Sequence, residues 1–284
     1  MHPISARRGA VYASIAAAAW GTGGAAGSLL FASLDPVAVS FWRHLLGAAF
    51  LLPFLLRRPL IRARGWAGHV LIVGAGMAVY QAAYFTAIAE SGIALATVVT
   101  MGATPVFTAL GGRLLLGERL GRAGAGAMAA AITGLVLLTG LSHAGTGAGV
   151  TWSLLSGLGY AGVTLYSRRH HGDPEATAVG GFAVAALCLL PFALAGGILP
   201  EFTLLSAGAL LFLGAVPTAL AYGLFFRSLT ALKATTVSVI SLGEAAGAAL
   251  LGVVLFGERL TPLAWSGGLL LLGAVVVLTV HGQR

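Results

Sequence analysis

The chemistry in this chain is confined to a few polar side chains set in long apolar runs. Glu244 is the only charged residue between Lys233 and Glu258. An ionised carboxylate in the middle of a membrane helix costs about 2.5–3.5 kcal/mol or more, so it must face a cavity, pair with a cation or carry a proton. It can therefore contact a ligand amine, take part in proton coupling, or hydrogen-bond a neighbouring helix. Arg43 and His44 form a second polar site. Arg43 lies about 10 Å inside its predicted helix at roughly 1.5 Å per residue. It can snorkel to the interface, pair with a carboxylate or bind a ligand carboxylate, and a structural or gating role is favoured. His44 points elsewhere and reads as an interhelical hydrogen-bond donor.

Tyr80 and Tyr84 are four residues apart and share one helix face, with Gln81 beside them. Tyr222, Trp20 and Tyr160 are predicted at mid-helix depth. Such rings can stack on an aromatic or cationic ligand. Trp42, Trp66, Trp152 and Trp265 fall near helix ends and read as interfacial belt residues. Thr97, Thr100, Met101 and Thr104 form one polar stripe, and Ser238, Ser241 and Glu244 another, each at helical spacing. Both stripes should face the bundle interior, either lining a cavity or making interhelical hydrogen bonds. The candidate ligand contacts are thus Trp20, Tyr80, Gln81, Tyr84, Met101, Tyr160, Tyr222 and Glu244.

Other chemistries lack their residues. No phosphate-binding Walker loop and no HExxH motif is present. No catalytic residues, metal ligands or cofactor are assigned. Cys188 is the single cysteine and cannot form an intrachain disulfide. The formal charge of +8 is spread over short loops, which suits topology determinants and not a nucleic-acid face.

The elements that position these groups follow from composition. Of the 284 residues, 58% are hydrophobic and only 8% charged, against about 25% charged in soluble domains. Stretches 9–34, 65–89, 91–112, 176–200, 202–226 and 260–283 contain no Asp, Glu, Lys or Arg. Each is long enough to cross a bilayer as a helix. The reading is an all-α membrane protein of ten transmembrane helices, near 9–31, 36–56, 66–89, 92–115, 121–141, 148–167, 175–197, 204–226, 233–256 and 261–281. With the N-terminus inside, every Lys and Arg but Arg43 and Arg259 falls on the cytoplasmic side. That places both termini in the cytoplasm and the chain in the inner (plasma) membrane.

Gly117-Glu118-Arg119-Leu120 recurs as Gly257-Glu258-Arg259-Leu260. Asp35-Pro36 recurs as Asp173-Pro174, Leu51-Leu52-Pro53-Phe54 as Leu189-Leu190-Pro191-Phe192, and Trp20 aligns with Tyr160. The offset is nearly constant, so residues 1–141 and 148–284 are expected to be two five-helix repeats. An odd number of helices inverts the second repeat, which is the geometry of alternating access around a midplane site. Glu118 and Glu258 would then fall on opposite faces, beside Arg119 and Arg259, as loop-anchoring or gating pairs.

Thr104-Pro105-Val106 with Leu115-Leu116-Gly117-Glu118-Arg119-Leu120, and Leu242-Gly243-Glu244 with Leu255-Phe256-Gly257-Glu258-Arg259-Leu260, resemble motifs of the ten-helix EamA-type exporters of the drug/metabolite transporter superfamily. Within it, the sequence is similar to bacterial amino-acid exporters of the YddG type. The resemblance implies a secondary transporter in the bilayer that moves a small solute such as an amino acid outward. Aromatic amino acids are preferred because the candidate cavity is rich in Tyr and Trp, and proton coupling remains open. A multidrug or other metabolite carrier is the alternative; a channel or intramembrane enzyme fits less well. Many family members carry Glu-Pro where this chain has Glu244-Ala245, while Pro105 is present in the other half. The ninth helix would then bend less, or bend through Gly243 and Gly247.

Overall fold

Without water, backbone polar groups must be satisfied within the segment, and this drives apolar runs into helices. The structure, a computed structural model, describes residues 4–30, 33–56, 66–119, 121–139, 147–170, 173–201, 203–256 and 261–281. Among these, all regular structure is helical: α1 (Ala6–Ser28), α2 (Pro36–Leu56), α3 (Trp66–Leu116), α4 (Arg122–Thr139), α5 (Gly147–Arg169), α6 (Pro174–Gly196), α7 (Leu204–Gly214), a π-helical segment (Ala215–Leu220), α8 (Ala221–Leu229), α9 (Ala234–Ser241), α10 (Gly243–Phe256) and α11 (Pro262–His281). Five stretches are long and apolar enough to cross a membrane: Pro36–Pro53, Trp66–Ile88, Leu95–Leu116, Pro174–Gly196 and Leu204–Leu229. Their outward faces carry exposed Leu, Val and Phe, as expected of surfaces solvated by lipid.

Local sequence sets several helix starts. Asp173 Oδ1 accepts from the backbone N–H groups of Glu175 (2.9 Å) and Ala176 (3.2 Å), with Pro174 following it. Thr203 and Ser206 form a reciprocal capping box at α7.

Three elements depart from the sequence expectation. Helices expected at 66–89 and 92–115 form one unbroken helical run, α3. Its two limbs are nevertheless antiparallel. The Tyr84 hydroxyl lies 2.6 Å from Thr97 Oγ1, whereas thirteen residues of straight helix would separate them by about 20 Å. On the first limb, Tyr80 meets Ser156 and Gly76 abuts Val163; on the second, Thr100 meets Ser153 and Gly111 abuts Leu165. Going up α5, contacts therefore descend one limb and ascend the other.

The eighth expected helix contains the π segment. Pro217 has no N–H for the carbonyl of Leu213, and the Thr218 hydroxyl donates to that oxygen at 2.7 Å.

The ninth expected helix is interrupted at Leu242. There, Leu242 N–H donates to Val239 O and Ala245 N–H to Leu242 O, both at 3.1 Å. These three-residue spacings tighten the chain around Gly243, so this helix is interrupted without a proline. Pro105 sits inside continuous helix.

Packing exchanges partners between the two halves. Helix α1 lies against α8, α9 and α10, while α5 lies against both limbs of α3. Helices α2 and α6 pack together, as do α4 and α11. The last pair crosses backbone to backbone: a Cβ at Gly267 would stand 2.5 Å from Leu138 N and 2.6 Å from Gly134 O. Backbone cannot yield as a side chain does. Gly267→Val is expected to separate α4 from α11 and lower the melting temperature in detergent by several degrees, for an overpacking cost of about 1–3 kcal/mol. An unchanged melting curve would contradict this crossing.

Candidate functional site

The bundle contains a partly open cavity of about 130 Å³ whose wall is assembled from both halves. Helix α1 supplies Trp20, α2 supplies Arg43, and the first limb of α3 supplies Tyr80, Gln81 and Tyr84. The second limb adds Thr100, Met101 and Thr104; α5 adds Ser156 and Tyr160. Tyr222 comes from α8, Ser238 and Ser241 from α9, Leu242 from the break, and Glu244 from α10. All eight sequence candidates for ligand contact therefore meet on one surface. Their assignment as contacts rests on this placement and on their chemistry.

The aromatic groups brace one another. Trp20 lies edge-on to Tyr222 at 4.9 Å and tilts against Phe225 at 5.4 Å. Its repeat counterpart Tyr160 approaches Phe225 at 5.9 Å and Tyr80 at 5.4 Å. Phe225, fully buried behind the wall, is thus the shared support of the repeat-related rings. It was not singled out in the sequence, because a Phe in an apolar helix carries no signal. The Tyr80 and Tyr222 hydroxyls hydrogen-bond to each other across the halves. The Gln81 amide donates to Ser40 Oγ at 3.2 Å.

Glu244 gains its position from the break at Leu242. The interruption puts it in the first turn of α10, where free backbone N–H groups and the helix dipole favour a carboxylate. Gly21 of α1 fixes the depth: a Cβ there would stand 2.9 Å from Glu244 O and 3.0 Å from Ala248 N.

Arg43, expected in a structural or gating role, lies on the cavity wall. Its Nε donates to Thr218 Oγ1 at 3.4 Å. The π segment presents this hydroxyl, and Gly47 lets α2 close on it, since a Cβ there would stand 2.5 Å from Thr218 Cγ2. His44 is buried off the cavity, its Nδ1–H donating to Ser40 O of its own helix at 2.7 Å. The expected interhelical donation is not formed, because the adjacent turn offers the nearer carbonyl.

The polar stripes serve both purposes open to them. Thr100 Oγ1 donates to Ser153 O of α5 at 3.1 Å, while Thr97 takes the Tyr84 hydroxyl. Trp42, read as a belt residue, donates through Nε1 to Ile198 O at 2.7 Å and so ties the halves together. Trp152 and Trp265 are exposed.

The end of the bundle rich in Lys and Arg is tied together by ion pairs. Glu118 pairs with Arg168 of α5 at 3.0 Å, not with its neighbour Arg119, and its second oxygen accepts Ala234 N–H at 3.1 Å. Arg168 also donates to Leu229 O at 2.9 Å, and Lys233 to Arg119 O at 3.2 Å. Glu175 is buried and paired with Arg227. The sequence reading passed over that pair because both residues lie at expected helix ends. Glu258 lies outside the described residues. Among the described residues no three His, Cys, Asp or Glu gather as a metal site. A larger groove of about 270 Å³ beside α10 and α11 is lined by apolar side chains, with Ser14 and Trp265, and carries no charged group among the described residues.

An apolar helical bundle with a polar, ring-lined cavity shared between two repeats defines a multi-pass membrane transporter. The chain belongs to the EamA-like transporter family, whose sequence profile matches residues 7–140 and again 147–280. It is 34% identical over 274 residues to a Bacillus subtilis protein described as the uncharacterized transporter YwfM, covering 94% of this chain and 92% of that one. An Archaeoglobus fulgidus protein described as an uncharacterized transporter is 29% identical over 249 residues, covering 86% of each. A solved crystal structure superposes with a TM-score of 0.83 at 24% identity, over 97% of this chain and 98% of that one, which shows the shared fold.

Proposed function

We propose that this transporter exports amino acids, aromatic ones preferred, by alternating access. The observation that carries the reading is the presence of a carboxylate and a guanidinium on one aromatic wall. Glu244 suits an α-ammonium, Arg43 an α-carboxylate, and the rings of Tyr80, Tyr84 and Tyr160 an apolar side chain. A nucleotide diphosphate would call for several cationic side chains, whereas among the described residues Arg43 is the one cation on the wall.

The same reading holds ten transmembrane helices in two inverted repeats, with both termini in the cytoplasm of an inner membrane. Each limb of α3 would count as one crossing. The exchanged packing supports the inversion, because α1 stands to the second half as α5 stands to the first. The profile's double match supports repetition, and charge placement supports the orientation. With that orientation, the Glu118–Arg168 layer closes the cytoplasmic side.

Glu244 and the rings also suit a lipophilic cation, the multidrug alternative; Arg43 disfavours it. Purified protein in proteoliposomes loaded with labelled phenylalanine is expected to release label, with saturation and counterflow. Competition by amino acids and not by cationic drugs supports the proposal. No flux above empty vesicles for any amino acid would reject it, and inhibition by cations alone would transfer the site to the alternative.

A further inference from the structure

Trp20 and Ser238 line the cavity, and their buried polar atoms, Trp20 Nε1 and Ser238 Oγ, have no hydrogen-bond partner among the described residues. Both side chains are deeply buried, Trp20 at 6% and Ser238 at 1% exposure. His44 Nε2, His69 Nδ1 and Ser167 Oγ share this condition but stand off the wall. Burying a donor without an acceptor carries a free-energy cost, and natural folds rarely leave it unanswered. An indole N–H can only donate. Nor can Trp20 swing readily to find an acceptor: Tyr222 and Phe225 hold its ring at 4.9 and 5.4 Å, and the next residue, Gly21, is pressed against the α10 backbone.

We propose that Trp20 is the residue that selects the acid end of the solute, its indole N–H donating to a carboxylate oxygen of the bound amino acid while Ser238 makes an adaptable second contact. This rests on the reading of the cavity as an amino-acid site. Glu244, when ionised, only accepts, and Trp20 and Arg43 only donate, so a solute carrying both an ammonium and a carboxylate answers all three. Arg43 attracts any anion through its charge. Trp20 adds direction, because one N–H on a locked ring donates to an oxygen in one place. The consequence is discrimination between an amino acid and the amine left after decarboxylation, which has the same ring and ammonium but no acceptor. A site built to hydrogen-bond a group rejects the analogue lacking it far more strongly than an apolar pocket rejects a change of size.

The test is calorimetric titration of the detergent-solubilised protein with phenylalanine and with phenethylamine. The wild type is expected to favour phenylalanine by at least about tenfold. Trp20→Phe keeps a ring against Tyr222 and Phe225 and is expected to shrink that preference about tenfold, with the larger loss falling on phenylalanine. If Trp20→Phe does not fold, 3-benzothienylalanine placed at position 20 removes the N–H and keeps the bicyclic ring. Phenylalanine binding with an undiminished preference in either variant overturns the role of Trp20 and leaves the amino-acid reading standing. Equal wild-type affinity for the two ligands also overturns it. Failure of the folded wild type to bind any amino acid overturns the reading and this inference together.

Discussion

Glu244→Gln is expected to cut amino-acid efflux from proteoliposomes by about ten- to a hundredfold while leaving insertion and the melting temperature close to wild type. Glutamine matches glutamate in size and keeps one acceptor, so the turn of α10 against Gly21 need not shift. What disappears is the charge. A hydrogen bond to a charged group contributes about 1.5–3 kcal/mol, and each 1.36 kcal/mol is tenfold. Glu244→Asp keeps the charge but withdraws it by one methylene, and should recover part of the flux. The decisive comparison is between flux and stability. Normal efflux with a lowered melting temperature would make Glu244 a helix–helix contact, and Arg43 would then lack its counter-charge on the wall.

The membership of the cavity was legible because lipid imposes a strict rule: a polar side chain inside an apolar helix must turn inward. Tyr80 and Tyr84 share a face through their spacing of four, as do Ser238, Ser241 and Glu244 through spacings of three, and each group reaches the wall intact. The rule gives direction without distance, so it does not name partners. Glu118 was read beside Arg119, its neighbour in sequence, whereas the fold pairs it with Arg168 on another helix. Arg43 was read as structural because a lone intramembrane Arg usually serves packing and topology, and its own helix does not show its partner, the hydroxyl of Thr218 in the π segment. Pro217 and Thr218 mark that segment within its own helix, whereas Leu242 has no proline beside it to announce the break. The hairpin in α3 was read as two helices because Glu90 separates two charge-free runs, yet the hydrogen-bonding stays helical through the turn.

The second large effect belongs to the Glu118–Arg168 layer, because it joins elements that alternating access would have to part. Glu118 holds the Arg168 side chain with one oxygen and the N-terminal backbone of α9 with the other. The same α9 carries Ser238 and Ser241 of the cavity wall and ends at the Leu242 break before Glu244. The carboxylate therefore fastens the lever whose far end is the cavity wall. Glu118 and Arg168 side chains are only 13% and 22% exposed. Removing one partner of a buried pair costs about 3–5 kcal/mol, and about 3 kcal/mol is the fitting figure for a pair partly wetted by solvent. Spent on the closed state alone, that shifts the open fraction by about two decades. Glu118→Ala, with Cys188→Ala and Ser238→Cys as the probe, is expected to raise labelling by a membrane-impermeant thiol reagent at least about tenfold when the reagent is added at the basic end of the bundle. Labelling from the opposite end should fall. Equal labelling with and without Glu118 would show that the ion pair anchors a loop and plays no part in closing the cavity.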